Sequence, residues 1–369
     1  MPITLTRRFH AVGQGLFCSE IVEDGNFKHT IVYDCGTESE DRFLQSETKN
    51  LARLVKNRRI DILFLSHLHD DHISGVHRLL HDFDVKKVVL PCLTPFQIIR
   101  VYLYANGMVT SSKGERFGDN AVELIKKVLR QRKEHGDSKI FDEIPVFVES
   151  ISNYDREDAL TNGIHDINAY KTYISNHNIY AVNTPSNGTT IEYIPFNIEN
   201  TKSLVFNIAV KYFYPNLLKE LTVGNLGQLI NTGLLLELAK LYKCIFGNLN
   251  ESSMSVLSHV LRPDKNIDCL YTGDYSCKAD KAATLLRKYY YKEWHKIAYI
   301  QVPHHGSKND NPVELYSNNC HECVVSYGIP NKHQHPHKDA IKVIVKKTKN
   351  HLNHLTNGGT TLSFIDTIF

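Results

Sequence analysis

The chain has 369 residues, 42% hydrophobic and 22% charged, enough to bury a full core and large for one domain. With 43 basic residues against 40 acidic ones the formal charge is only +3, so no global field would hold a polyanion and any nucleic-acid contact must be local. No apolar run approaches the length of a membrane span, and Met1-Pro2-Ile3-Thr4-Leu5-Thr6-Arg7-Arg8 lacks the apolar stretch of a secretion signal, so the expectation is a cytoplasmic protein with no membrane contact.

The first third alternates short apolar strands with turns and helices. Strands are expected at Ile3 to Val12, Leu16 to Val22 and His29 to Asp34, then a helix from Leu51 to Arg59 and a buried strand from Ile62 to Ser66. A helix from Gly75 towards Leu80 and a strand from Val85 to Leu90 follow. From about Thr94 to Asn200 the pattern changes to two helical stretches, Pro95 to Asn106 and Asn120 to Lys133, and a polar run rich in Asn, Asp, Tyr and Ser. Residues 94–200 therefore read as an insertion between 1–93 and 201–369. Lys126, Lys127, Arg130, Arg132 and Lys133 lie on one expected helix, a face for solvent or for a phosphate backbone. Tyr170, Tyr173 and Tyr180 are candidates for packing or for base stacking.

The α/β character resumes at Ser203 to Tyr214, with a helical stretch near Leu229 to Tyr242 and strands at Ser255 to Leu261 and Ile267 to Thr272. The last quarter reads helix (Ala279 to Tyr290), strands (Ile297 to Val302 and Cys323 to Ser326), helix (Asp339 to Lys347) and strand (Thr360 to Phe364). Strands separated by helices imply covered sheets. The eight cysteines are scattered, and Cys320-His321-Glu322-Cys323 is a lone CxxC; they read as reduced thiols rather than a disulfide frame or a four-ligand zinc site.

The chemistry concentrates at one strand exit. After the apolar run Ile62-Leu63-Phe64-Leu65 comes Ser66-His67-Leu68-His69-Asp70-Asp71-His72. His67 and His69 stand two apart, so in an extended segment they share a side and can grip one metal. Asp71 and His72 follow as the chain turns into a helix, and they point differently enough to bind a second. Imidazoles with carboxylates suit zinc, with manganese or iron as alternatives.

This segment matches the HxHxDH signature of the metallo-β-lactamase superfamily, and the chain resembles that superfamily further along. Asp34-Cys35-Gly36 is similar to the early aspartate-glycine turn that supports the histidine loop, and Thr272-Gly273-Asp274 to the motif whose aspartate bridges both metals. Val302-Pro303-His304-His305-Gly306-Ser307, Val325-Ser326-Tyr327-Gly328 and His335-Pro336, with Val12-Gly13-Gln14-Gly15 and Asn250-Glu251-Ser252-Ser253, resemble the branch holding the hydrolase domain of the competence protein ComEC and bacterial phosphorylcholine esterases. The resemblance covers the N-terminal third and everything after about Ser203. It implies an αββα sandwich with a mixed helical and irregular insertion, binding two divalent metal ions, zinc or alternatively manganese.

By position, the resemblance makes His67, His69, Asp71, His72, Asp274 and His335 metal ligands, with His335 on the second metal. His304 and His305 are the pair facing substrate, with Ser307 and Asn250 as further substrate contacts and Asp34 as support. Two departures stand out. Leu16 occupies a place where related domains carry an acidic residue, and no histidine between the first cluster and Asp274 is an evident third ligand of the first metal. His259, Asn248, Asn250, His165 and His177 are the alternatives.

A site so furnished implies hydrolysis by a two-metal-activated hydroxide, with Asp71 orienting the water. The leading expectation is a phosphodiesterase acting on nucleic acid or a nucleotide, because paired cations neutralise an anionic ester and the His304-His305 pair can assist the leaving group. Hydrolysis of a small lactone, thioester or β-lactam is the second reading, and a metal-binding sensor or scaffold with little activity the third. The sequence implies no particular oligomeric state.

Overall fold

In a computed structural model of the chain, the residues described are 2–67, 69–91, 146–148, 179–186, 188–197, 209, 212–213, 253–261, 266–277, 282–316, 319–348 and 351–368. The strands run β1 (Ile3–Phe9), β2 (Phe17–Asp24), β3 (Phe27–Cys35), β4 (Arg59–Ile60), β5 (Ile62–Phe64), β6 (Asp84–Val85), β7 (Val88–Pro91) and β8 (Val146–Val148). They continue as β9 (Tyr180–Asn183), β10 (Thr190–Phe196), β11 (Ser255–Val260), β12 (Asp268–Tyr271), β13 (Ile297–Gln301), β14 (Glu322–Tyr327), β15 (Leu352–Thr356) and β16 (Leu362–Ile368). Five α-helices accompany them among the described residues: α1 (Asp41–Leu54), α2 (Asp70–Ile73), α3 (Val76–Asp82), α4 (Ala282–Tyr289) and α5 (Lys338–Lys347).

Two sheets carry the fold, in the orders β16-β1-β2-β3-β5-β7-β8 and β15-β14-β13-β12-β11-β10-β9. Each is antiparallel on one side and parallel on the other: β3, β5, β7 and β8 are parallel in the first, and β12 to β15 in the second. Parallel strands need crossovers that cover the sheet faces, and the apolar clusters show the result. Ile3, Leu5, Tyr33 and Phe64 of the first sheet pack between the layers against Tyr193, Val256, Tyr271 and Leu355 of the second. Leu44 and Leu51 of α1 with Val76 and Leu79 of α3 cover the outer face of the first sheet over Val32 and Leu63. Leu286 of α4 and Ile344 of α5 do the same for the second over Leu270 and Ile300. The layers are thus helix, sheet, sheet, helix, as the resemblance implied.

Strands β9 and β10 fall within the 94–200 stretch expected to be an insertion, yet they form one margin of the second sheet, and Val182, Ile191 and Tyr193 sit in the inter-sheet core. The expected helices at 95–106, 120–133 and 229–242 lie outside the described residues. The helix expected from Leu51 to Arg59 is instead α1, ten residues earlier. Its buried stripe is Leu44, Glu47, Thr48 and Leu51, and two polar members hide the helical period. Glu47 is tolerated there because His10 donates to it through Nδ1 at 2.8 Å and Thr361 through its hydroxyl at 2.7 Å.

The inter-sheet core also holds charge. Arg7, fully buried, donates through Nε to Glu20 at 2.9 Å and through Nη1 to Asp366 at 3.1 Å. The hydroxyls of Tyr193 and Ser258 donate to Glu20 Oε1 at 2.9 Å each, and that of Tyr271 to Oε2 at 3.2 Å. The network joins β1, β2 and β16 of one sheet to β10, β11 and β12 of the other. Arg7→Met would leave two buried carboxylates without their counter-charge. The expected loss is about 3–5 kcal/mol of folding stability, read as a lower urea midpoint, with Lys28→Ala at a half-exposed surface pair changing it by less than about 1 kcal/mol.

Candidate metal centre

Polar residues gather at the C-terminal ends of the parallel strands, where both sheets stop. Asp34 is near the end of β3, Ser66, His67 and His69 follow β5, Asp274 follows β12, and His304 and His305 follow β13. The first anchor is Asp34, fully buried and at a left-handed φ of 55°. Its carboxylate accepts from the Ser66 amide and hydroxyl, both at 2.7 Å, and from His72 Nδ1 at 2.8 Å. Burial pushes the Asp34 carboxyl up, partly opposed by His72. Asp34 therefore holds both ends of the histidine loop.

Gly36 lets that loop approach: a Cβ there would come within 2.5 Å of backbone atoms of Asp71 and His72. Gly273, at a φ of 55°, is similarly tight against the Ser66 side chain. Gln301 braces the same turn by accepting from the amides of Thr272 at 2.8 Å and Gly273 at 2.6 Å. His304 and His305 both adopt left-handed backbone, with φ of 50° and 51°, a conformation costly for non-glycine residues. The bond from the His304 amide to the Gly273 carbonyl, 3.0 Å, ties their turn to the Asp274 turn.

Each backed imidazole uses Nδ1 outward. His67 Nδ1 faces the hydroxyl oxygens of Ser66 at 2.9 Å and Ser253 at 3.0 Å. Ser66 already gives its own proton to Asp34, so His67 is the donor. His72 donates to Asp34, His304 to Asp310 at 2.8 Å, and His305 to the Ser326 carbonyl at 2.8 Å. Their Nε2 atoms all turn towards Asp274. Oδ1 of Asp274 lies 3.1 Å from His72 Nε2 and 3.7 Å from His305 Nε2; Oδ2 lies 4.0 Å from His67 Nε2 and 3.7 Å from His304 Nε2. Asp71 Oδ2 is 3.1 Å from His305 Nε2 and 3.6 Å from His72 Nε2.

Nitrogen lone pairs aimed at carboxylate oxygens repel unless a cation or a proton lies between them. The buried Nε2 atom of His67 has no hydrogen-bond partner, and His72 Nε2 and Asp274 Oδ1, 3.1 Å apart, have none but each other. Burial, with His72 and His69 as neighbours, holds the His67 ring well below the usual histidine range, so it is a neutral donor. Burial opposes charge on His72, but Asp71, Asp274 and Asp34 more than offset this and push it well above that range. A proton there does what a bound cation would do. Burial likewise opposes ionisation of Asp71 and Asp274, and the surrounding histidines hold both carboxyls below their usual range.

The donors fall into two groups whose ligand atoms lie within 4.8 Å of one another: Asp71, His72, Asp274 and His305, and His67, His69 and Asp71. The donor set fits divalent metal. Beside Asp71 and His72 the structure brings His305, expected to face substrate. His335, expected on the second metal, is buried with its ring 5.5 Å from that of His304 and 6.2 Å from that of His305. Ser307 donates to Asp310, the partner of His304, so it braces that histidine. His259 is tied to Asp268 at 2.6 Å on β11, at the strand's far end from Met254 and Ser253. Asn248, Asn250, His165 and His177 lie outside the described residues.

Two residues that matter here, Gln301 and Asp310, were not singled out in the sequence, and Ser253 and Ser326 stood only inside quoted motifs with no role given to either. Asp310 lies six residues beyond His304 and is fully buried, a carboxylate close behind a histidine pair that could have marked it; Ser326 acts through its carbonyl, which its side chain does not announce.

Residues 20–93, which include Asp34 and the His67 to His72 cluster, match the Metallo-beta-lactamase superfamily, and the helix-sheet-sheet-helix layering is that superfamily's αββα fold. No curated protein matches the chain. Solved structures similar to it include the peroxy diiron species of the chemotaxis sensor ODP, at 13% identity over 51% of this chain and 48% of that one, TM-score 0.23. Others are the CmlA β-hydroxylase E377D mutant, at 10% identity over 98% and 53%, TM-score 0.39, and a diphosphatase from the PhnP family, at 11% over 98% of both chains, TM-score 0.36. The chain spans about half the length of the first two.

Removing a carboxylate that orients a ligand histidine costs about 10–100-fold in metal affinity. Asp34→Ala is expected to weaken Zn²⁺ binding by that factor in calorimetric titration. Gly36→Ala is expected to do likewise although it deletes no donor atom, because the Asp71-His72 backbone must move.

Proposed function

We propose that the chain is a metal-dependent hydrolase of phosphodiesters, with nucleic acid or a nucleotide as substrate and two divalent cations, zinc or manganese, at the centre. The observation that carries this is the aim of four histidine Nε2 atoms at the two oxygens of Asp274: His72 and His305 towards one, His67 and His304 towards the other. A carboxylate shared in this way can stand between two cations and offset their mutual repulsion.

Bound at such a centre, divalent cations lower the pKa of a water and neutralise charge on ester oxygens. The chain's own residues supply the rest. Asp71, its carboxyl held below the usual range and 3.1 Å from His305 Nε2, can accept a hydrogen bond from the attacking water and fix its lone pair. His304 is aimed by Asp310, which accepts a hydrogen bond from its Nδ1–H and so leaves Nε2 as the basic atom, able to take the proton released by the attacking water and pass it to the leaving oxygen. The paired acceptors behind the rings keep every tautomer set before substrate arrives, so little reorganisation is needed in the transition state. An anionic ester fits a centre built to hold positive charge better than a neutral lactone or thioester does, and the likeness to the ComEC and phosphorylcholine esterase branch supports the same choice.

Purified protein with Mn²⁺ or Zn²⁺ is expected to hydrolyse bis-p-nitrophenyl phosphate and to cleave single-stranded DNA, duplex DNA, RNA or a cyclic nucleotide. Chelation is expected to abolish turnover and added metal to restore it. His69→Ala and Asp274→Asn should each lower the rate by about 10²–10³-fold or more. Stoichiometric metal binding without turnover of any phosphodiester, or turnover of a lactone alone, overturns the proposal.

A further inference from the structure

The same parallel strands have a second end, away from the metal centre. There the molecule has a cavity of about 930 Å³. Its walls are the beginning of β3 around Lys28 and His29, the turn at Lys56 and Asn57, Arg59 to Ile62 leading into β5, Lys86 and Lys87 before β7, and β9. The metal ligands follow β5, whereas these residues precede it. Ile62 and Ser66 are four residues apart, roughly 13 Å along an extended strand, so the two places are distinct.

The cavity is basic in a chain that is nearly neutral overall. Lys28, Lys56, Arg59, Lys86 and Lys87 line it, and Asp61 is the one carboxylate among the described lining residues. Each oxygen of Asp61 is already engaged, one accepting from the Thr30 amide at 2.9 Å and the other from Arg59 Nε at 2.7 Å. Lys28 and Lys86 have acidic neighbours outside the wall, Glu23 and Asp84. Lys56 and Lys87 have no carboxylate partner among the described residues, and Lys87 lies 5.3 Å from the centre of the Tyr180 ring. Two buried polar atoms complete the wall without a hydrogen-bond partner: Nε2 of His29 and the hydroxyl of Tyr180. His29 Nδ1 faces Asp61 at 3.5 Å, and burial, only partly opposed by Asp61, lowers the ring's proton affinity, so Nε2 offers an acceptor.

A buried acceptor and a buried hydroxyl beside uncompensated ammonium groups want different things from one ligand: hydroxyl groups for the first, negative charge for the second. We propose that this cavity is a binding site for a phosphorylated small molecule with a hydroxyl-bearing body, such as a nucleoside phosphate, its phosphate at Lys56 and Lys87 and its hydroxyls at His29 and Tyr180. The volume is that of an ordinary small-ligand pocket. The site stands whether or not the metal centre is a phosphodiesterase.

Calorimetric titration of the metal-loaded full chain with ADP, and separately with inorganic pyrophosphate, tests this. ADP is expected to bind at least about tenfold more tightly than pyrophosphate, the gain of a good hydrogen bond. Lys56→Gln with Lys87→Gln should weaken both ligands about tenfold or more. Tyr180→Phe should erase most of the ADP advantage while leaving pyrophosphate unchanged, and His69→Ala should leave ADP binding intact. Circular dichroism of each variant verifies its fold. ADP binding that is lost in His69→Ala and kept in the lysine variants places the ligand at the metal centre and overturns the proposal. So does equal affinity for the two ligands, absence of binding at millimolar concentration, or binding of an oligodeoxythymidine without binding of ADP.

Discussion

Buried negative charge at the strand ends is the constraint on which the rest of this molecule depends. Asp34, Asp71 and Asp274 are all inside the protein within reach of the same histidines, and three carboxylates so placed are tolerable only beside positive charge. His72 shows the demand most directly: burial opposes charge on it, yet Asp71, Asp274 and Asp34 push its proton affinity well above the usual histidine range. A divalent cation held by the same Nε2 lone pair would satisfy the demand in the proton's place, and with twice the charge. The outward hydrogen bonds of the rings follow from this. Each Nδ1 must be satisfied by something other than the centre, which assigns Ser66, Ser253, Asp310 and the Ser326 carbonyl their places.

The fold meets this constraint by bringing two similar halves together. Each sheet turns from antiparallel to parallel partway across, and the parallel strands of both discharge their loops at one edge. β3 and β5 bring Asp34 and the histidine cluster; β12 and β13 bring Asp274 and the His304-His305 turn. A centre assembled from two layers is only as accurate as the packing between them. The apolar inter-sheet core and the Arg7, Glu20 and Asp366 network therefore act on the site at a distance: they set the register in which its halves meet. Local strain is accepted in return, at Asp34, His304 and His305, where side-chain direction matters more than backbone comfort.

The residues of the candidate centre were legible because their chemistry is local. His67, His69, Asp71 and His72 sit within one turn of chain, and strand-then-turn geometry dictates where they point. Most strands were legible too, since apolar runs such as Ile62 to Leu65 and Ile297 to Val302 need no partner to be recognised. Helix α1 was displaced because its buried face includes Glu47 and Thr48, which no hydropathy pattern marks as inward until His10 and Thr361 are known to lie opposite. Likewise β9 and β10 look like part of an insertion because their role is to pair with a strand some sixty residues onward.

The sequence by itself determined the cluster of metal-ligating residue types and the αββα class, because both rest on residues close together in the chain or on short-period patterns. The tertiary structure decided which histidine stands beside Asp71 and His72. His305 and His335 are separated by thirty residues, and the pairing of β13 with β14 and the left-handed turn at His304 and His305 bring His305 beside Asp71, with the His335 ring 6.2 Å from it. It also decided what supports the rings, since a serine, a backbone carbonyl and an aspartate become equivalent acceptors once folding places them behind an Nδ1. Distances between residues far apart in sequence are set by packing, and no pattern along the chain encodes them.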